Sequence, residues 1–177
     1  MRIKGLLMMI SIAAFFSACQ TPRPIYTVND VDLERFMGDW FVIASIPTFI
    51  EKEAYNAVES YRIGKDGRIE TTFRFNKGDF EGPQKVYTPT GFVREDGSNA
   101  VWDMQFVWPI KAEYRIVYLN DDYTQTVIGR SKRDYVWIMA RSPAIPADDY
   151  DRILNFLEKE GYDLSDLRKV PHGKPEN

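Results

Sequence analysis

Cys19 is the only thiol in the 177-residue chain and His172 the only imidazole, so most side-chain chemistry is closed off before any fold is considered. A lone thiol has no partner for an internal disulfide. A Ser/His or Cys/His nucleophile system would have to use His172, which sits beside Pro171 in a polar tail, "PHGKPEN", expected to be loose. The sequence has no clustered His and Cys with metal-ligand spacing and no glycine-rich phosphate loop. Neither a cofactor nor a metal is expected, and the chain is not expected to be an enzyme. Two residues keep chemical interest: Cys19 as a site of acylation, and Glu59 as a carboxylate flanked by apolar strand residues.

Cys19 closes the run "MRIKGLLMMISIAAFFSAC", which has a positive start at Arg2 and Lys4, an apolar stretch from Leu6 to Phe16 and small residues before the thiol. That is a secretory signal layout, and the apolar stretch is shorter than the roughly 20 residues a membrane-crossing helix needs. Phe16-Ser17-Ala18-Cys19 resembles a bacterial lipobox, which implies that Cys19 is acylated and becomes the first residue after cleavage. Several acyl chains on one cysteine anchor a protein stably, whereas a single chain does so marginally. The alternative is a plain secreted protein with an incidental thiol. Gln20 is not the Asp that such lipoproteins use for inner-membrane retention, so the resemblance implies the outer membrane, lipid-anchored and facing the periplasm. Residues 1–18 are thus read as a signal peptide and 19–24 as a lipidated tether. Loss of Arg2 and Lys4 lowers the 23 basic side chains to 21 against 26 acidic ones, net −5. No basic domain remains to suit a nucleic acid.

These residues need a body to position them, and residues 25–177 suit one domain with a substantial core. Turn residues recur at "GKDG" 64–67, "NKGD" 76–79, "EDGSN" 95–99, "WPI" 108–110, "NDD" 120–122 and "SKRD" 131–134. Between them lie segments rich in Val, Ile, Thr, Tyr, Phe and Trp, the pattern of an antiparallel meander closing into a sandwich or barrel. Several alternate: Ile69, Thr71, Phe73, Phe75; Trp102, Met104, Phe106; Tyr114, Ile116, Tyr118; Tyr135, Trp137, Met139. After "ARSPAIP" a helix is expected, with Pro146 in its first turn, Asp148, Asp149 and Asp151 near its positive end, an apolar stripe at Tyr150, Ile153, Leu154 and Leu157, and Gly161 past its carboxyl end.

Three motifs carry a family resemblance. Gly38-Asp39-Trp40 looks like the G-x-W signature of lipocalins, Asn120-Asp121-Asp122-Tyr123 resembles their second motif, and Arg141 matches the arginine of the third. Within the family the likeness is to bacterial outer-membrane lipoprotein lipocalins and their animal relative apolipoprotein D. The fold implied is all-β: an eight-stranded antiparallel up-and-down barrel with one C-terminal α-helix packed outside. With eight strands reversing at each turn and the first starting at Trp40, the residues Gly38, Trp40, Asp121 and Arg141 converge at one end. They are read as the structural closed end, with the guanidinium over the indole contributing about 0.5–2 kcal/mol.

An eight-stranded barrel leaves room for one small ligand when side chains do not fill it. The ligand-binding set expected is Glu59, Tyr61, Phe73, Trp102, Met104, Phe106, Tyr114, Ile116 and Trp137. The inward assignment of Ala57, Glu59, Tyr61 and Ile63 follows from the family's inward positions at Tyr61 and Ile63, with Ile63 and Tyr118 nearer the plug. Glu59 leaves two outcomes open: it faces the interior and bonds a tyrosine or takes up a proton, or the register is one residue off and it is solvated. The expected mouth has a mixed rim of Arg130, Lys132, Arg133 and Lys111 among Glu51, Glu53, Asp79, Glu81 and Asp134. The partners expected are fatty acids or lysophospholipids and the outer membrane through Cys19; the chain alone leaves open whether it forms a homodimer. A membrane-anchored lipid binder for storage or transport in envelope maintenance is the first reading. A non-enzymatic envelope scaffold is the second, and a lipid-modifying enzyme using Glu59 the third.

Overall fold

The computed structural model describes residues 24–173, so Cys19, the expected signal peptide and the tail after Gly173 lie outside the described residues. Ten strands follow one another: β1 (Gly38–Ile46), β2 (Ala54–Ile63), β3 (Ile69–Lys77), β4 (Gln84–Tyr87), β5 (Thr90–Val93), β6 (Val101–Val107), β7 (Ile110–Leu119), β8 (Gln125–Gly129), β9 (Val136–Ala140) and β10 (Arg168–Lys169). The sheet runs β10-β1-β2-β3-β5-β6-β7-β8-β9 with antiparallel pairing throughout, β4 also lies against β3, and β9 returns to β1 to close the barrel. Both β4 and β5 pair with β3, because they are two pieces of one barrel strand interrupted at Thr88–Pro89. Proline has no N–H to give a ladder; its carbonyl still accepts from the Thr71 N–H at 3.2 Å and keeps the two pieces against β3. Counted so, eight strands make the barrel and β10 is an addition. Among the described residues no helix is long and apolar enough to cross a membrane.

The six turn clusters read from the sequence all fall at junctions between strands, with Asn76 and Lys77 closing β3 and Ile110 opening β7, and Gly67, Gly78 and Gly97 adopt positive φ there. Alternation sorts the apolar residues into two cores, as a period of two requires. The inner one holds Trp40, Val42, Tyr61, Ile69, Phe73, Phe75, Trp102, Met104, Tyr114, Ile116 and Met139. The outer one joins Ile46, Val127, Val136 and Ile138 to the helix α2 (Ala147–Lys159), which buries Ile153 and Leu157 against the sheet. Tyr150 and Leu154 of the expected stripe pack at its edges. Pro146 is the N-cap, one residue before the first turn in which the sequence placed it. At the other end Gly161 adopts φ 87° and donates to Glu158 O at 3.0 Å, while Tyr162 N donates to Leu157 O at 3.0 Å. These two bonds form a Schellman cap.

Three expectations fail locally. Tyr118 was placed on the inner face with Tyr114 and Ile116, but a bulge at Val117 inserts one residue against β8, and Tyr118 turns out onto Phe156 of the helix, ring centroids 5.8 Å apart. Ile63 is not plug; it ends β2 and is 39% exposed. The tail is not loose as far as Gly173. β1 pairs β2 only up to Phe41, then bends at a bulge after Val42 to follow β9. The gap so opened is filled by the tail: β10 pairs Ala44 and Ser45, Val170 N donates to Ile43 O at 3.0 Å, Asn56 N donates to Pro171 O at 2.9 Å, and His172 Nε2 lies 2.8 Å from Val42 O. Burial against this wall holds the His172 ring below its usual pKa.

Candidate functional site

The closed end sets the floor of the barrel. A one-turn helix, α1 (Leu33–Phe36), is N-capped by Asp32, whose carboxylate accepts from Arg35 N at 3.1 Å. It presents fully buried Phe36 to the inner core, 5.0 Å from the ring of Trp40 and 5.5 Å from that of Trp102. Trp40 Nε1 donates to Phe36 O at 2.8 Å. Arg141, arriving at the end of β9, lies over the Trp40 ring at 3.8 Å. Its guanidinium donates to the carbonyls of Asp39 (2.9 Å), Arg35 (2.8 Å), Phe36 (3.0 Å), Met37 (2.8 Å) and Tyr123 (3.3 Å). Gly38 has φ 96°, and a Cβ there would come within 3.3 Å of Arg141 Nη1, so both its backbone and its missing side chain are used. Asp121 takes part through its backbone carbonyl, which accepts from Arg35 Nη2 at 3.0 Å. The turn itself is held by Asn120, whose Oδ1 accepts from Thr124 N and Gln125 N at 2.8 and 2.9 Å. Asn120 was read from the sequence as part of this turn, whereas Arg35, stacked on Tyr123 at 4.0 Å, was missed, because nothing near it in the chain marks its partners at Asp121 and Tyr123.

Above this floor the barrel encloses a cavity of about 640 Å³ that opens at the opposite end. Of the nine expected ligand contacts, Glu59, Phe73, Met104, Phe106, Tyr114 and Trp137 line it. Trp102 and Ile116 do not; they are fully buried in the floor, Trp102 stacked on Tyr114 at 4.9 Å with its Nε1 donating to Asn99 O at 2.7 Å. Tyr61 is also in the floor, and acts through its hydroxyl. Phe106 stands at the mouth, where Phe49, Val86 and Val107 line the same opening and Trp108 and Ile110 extend the apolar rim into solvent.

The register question at Glu59 is answered by pairing: Glu59 opposes Phe73 and Tyr61 opposes Thr71 across β2 and β3, so all four share the inner face. Tyr61 Oη donates to the Glu59 carboxyl, and the Tyr61 and Tyr114 hydroxyls are 2.7 Å apart. Burial pushes the Glu59 carboxyl up to about 8, and the nearby charge of Glu51 adds to the effect. The Tyr61 bond works in the other direction and does not offset burial. Burial, and then the neighbouring Glu59, raise the Tyr114 hydroxyl well above its usual value. At neutral pH the Glu59 carboxyl is therefore protonated, a hydrogen-bonding group without charge.

The rim differs from its expected form. Glu51 is buried and lines the cavity, accepting from Thr48 N (3.0 Å), Thr48 Oγ1 (2.6 Å) and Trp137 Nε1 (3.0 Å). Arg130 faces the cavity, with Nη1 on Asp134 at 3.2 Å. Arg133 turns away to the end of α2 and donates to Glu160 O at 2.5 Å, and Lys111 lies over the Phe92 ring at 3.7 Å. The basic rim thus reduces to Arg130 as a group that meets the cavity. Among the described residues no group of three or more His, Cys, Asp or Glu is placed to hold a metal ion. A second recess, of about 600 Å³, lies on the outer wall beside His172 and mixes the polar Asn56, Arg74, Asn76 and Gln84 with the apolar Phe41, Val58 and Pro143.

Comparison with known proteins agrees with this geometry. The family described as "Lipocalin-like domain" matches residues 31–172. Temperature-induced lipocalin-1 of Arabidopsis thaliana is 29% identical over 161 residues, 84% of this chain and 83% of the relative. Outer membrane lipoprotein Blc of Citrobacter freundii is 27% identical over 170 residues, 94% of this chain and 96% of the relative. The solved structure of insecticyanin from the tobacco hornworm Manduca sexta superposes with a TM-score of 0.67 at 16% identity, covering 85% of each chain.

Proposed function

This chain belongs to the lipocalin family, and on that premise we propose that it is a lipid-anchored envelope protein that holds a fatty acid or lysophospholipid in its barrel, for storage or transport of lipid in envelope maintenance. The observation that carries the reading is the cavity of about 640 Å³, open at one end and walled by Phe73, Met104, Phe106 and Trp137. Its volume lies in the range of ordinary small-ligand sites, and Phe, Trp and Met walls take flexible apolar chains with little demand on their shape. The acyl tail lies in the cup, and the anionic head stays at the mouth beside Arg130. The mature protein sits on the outer membrane, facing the periplasm, through acylated Cys19. The lipobox-like run and the relative named as an outer membrane lipoprotein support this placement.

Native mass spectrometry of delipidated and refilled protein tests the reading: one lipid per barrel is expected, and a protein that acts only as an envelope scaffold gives no reproducible adduct. Trp137→Ala is expected to weaken palmitate binding roughly tenfold or more, since it removes ring area from the wall, while the barrel stays folded by circular dichroism. Unchanged affinity takes Trp137 out of the site. Cys19→Ser is expected to move the protein from the membrane fraction to the soluble fraction, and continued tight membrane association refutes the anchor. The raised Glu59 favours one further reading, acid–base chemistry on a bound lipid. Turnover of a candidate lipid that Glu59→Gln abolishes would establish it.

A further inference from the structure

The apolar walls of the cavity end on a polar patch, and the patch contains a group the fold leaves unsatisfied. Thr71 is 4% exposed and lines the cavity, and its Oγ1 has no hydrogen-bonding partner among the described residues. It alternates with Ile69, Phe73 and Phe75 on the inner face of β3, all of them apolar. A valine would fill nearly the same volume without burying a hydroxyl, and an unpaired hydroxyl in an apolar wall costs free energy that only a bound partner recovers. Directly across the ladder from Thr71 is Tyr61, whose hydroxyl joins the Glu59 carboxyl and the Tyr114 hydroxyl. The unpaired group and the connected ones therefore face the same end of one cavity.

We infer that Thr71, Glu59 and Tyr114 form a hydrogen-bonding subsite deep in the cavity for a neutral polar group, a hydroxyl or a carbonyl, carried on the buried end of an otherwise apolar ligand. This rests on the lipid-binding reading and narrows it. Thr71 and Tyr114 hydroxyls each donate and accept, as does a protonated carboxyl, so a ligand hydroxyl finds both kinds of partner there. A methyl end leaves Thr71 unpaired. A second carboxylate at the same depth would have to give up its water in a low-dielectric space that also holds the Glu51 carboxylate, and burying a charge there is costly. The subsite therefore ranks ω-hydroxy fatty acids above unsubstituted acids, and unsubstituted acids above α,ω-dicarboxylic acids of the same length.

Displacement of a fluorescent fatty acid from the delipidated full chain, run with all three series over a range of chain lengths, tests this order. At the length that binds best, the hydroxyl-ended acid is expected to bind about fivefold to tenfold tighter than the unsubstituted one, and the dicarboxylic acid more weakly than either. Thr71→Val is expected to bring the hydroxy and unsubstituted affinities together. Equal affinity for these two in the native protein overturns the subsite and leaves the lipid-binding reading standing, as does a dicarboxylic acid that binds as well as the hydroxy acid. Failure of every chain to bind overturns both.

Discussion

Arg141→Ala is expected to lower the unfolding free energy by about 3–5 kcal/mol, as much as truncating a buried core aromatic. The guanidinium joins five carbonyls drawn from α1, the start of β1 and the β7–β8 turn, and covers the Trp40 indole at 3.8 Å. Hydrogen bonds to a charged group are worth about 1.5–3 kcal/mol each when they cannot be replaced, and the cation–π contact adds about 0.5–2 kcal/mol. Part of the gross sum returns because several of the freed carbonyls lie near the surface and rehydrate. For a domain of this size the loss corresponds to a fall in Tm of roughly 10 °C. Arg141→Lys is expected to recover little of it, since one ammonium has neither the plane to stack on indole nor the reach to serve five carbonyls. Denaturant unfolding of the three proteins is the measurement, and a loss below about 1 kcal/mol in Arg141→Ala would mean that the closed end is held by its apolar contacts alone.

The second large effect is a dependence of stability on pH centred on Glu59. In the unfolded chain its carboxyl titrates near 4.5, and burial with the Glu51 charge holds it at about 8 in the fold. The native state therefore binds this proton more tightly. Its contribution is fully present below about pH 4.5, is lost as pH rises through 8, and stays constant above that. The gap sets a ceiling of about 5 kcal/mol on the loss, and access of water to the cavity reduces it. Glu51, Tyr61, Tyr87, Glu113, Tyr114, Arg130 and Tyr135 are the titratable and charged groups around the same space. Comparison with Glu59→Gln cancels the ordinary titrations elsewhere, including carboxyls such as Asp39 that Ser60 and Arg74 hold below their usual value and that act at lower pH. Between pH 5 and 9 the native protein is expected to lose at least about 2 kcal/mol relative to Glu59→Gln in chemical denaturation. Parallel curves for the two proteins would show that Glu59 is ionised at neutral pH and paired.

Much of the architecture is local and was legible in the residues themselves. Turn clusters at regular spacing, a two-residue alternation of large apolar side chains and a helical stripe ended by Gly161 specify strands, their inward faces and the outer helix, because each depends on neighbours a few positions away. The closed end was legible for the same reason at one remove: once strands reverse at each turn, Trp40 and Arg141 must meet. Tertiary structure alone decided where alternation breaks. One bulge at Val117 turns Tyr118 outward, another after Val42 opens the gap that the His172 tail fills, and neither leaves a periodic signal. It also decided which inward residues are floor and which are wall. Phe36 enters the barrel from a one-turn helix and takes Trp102, Ile116 and Tyr61 into solid packing, while Phe73, Met104 and Trp137 keep open space before them. Glu59 and Tyr61 are neighbours on one face of β2, but whether the Tyr61 hydroxyl also meets Tyr114, and whether the Thr71 hydroxyl meets nothing, depend on strands far apart in the chain and are set only when the sheet closes.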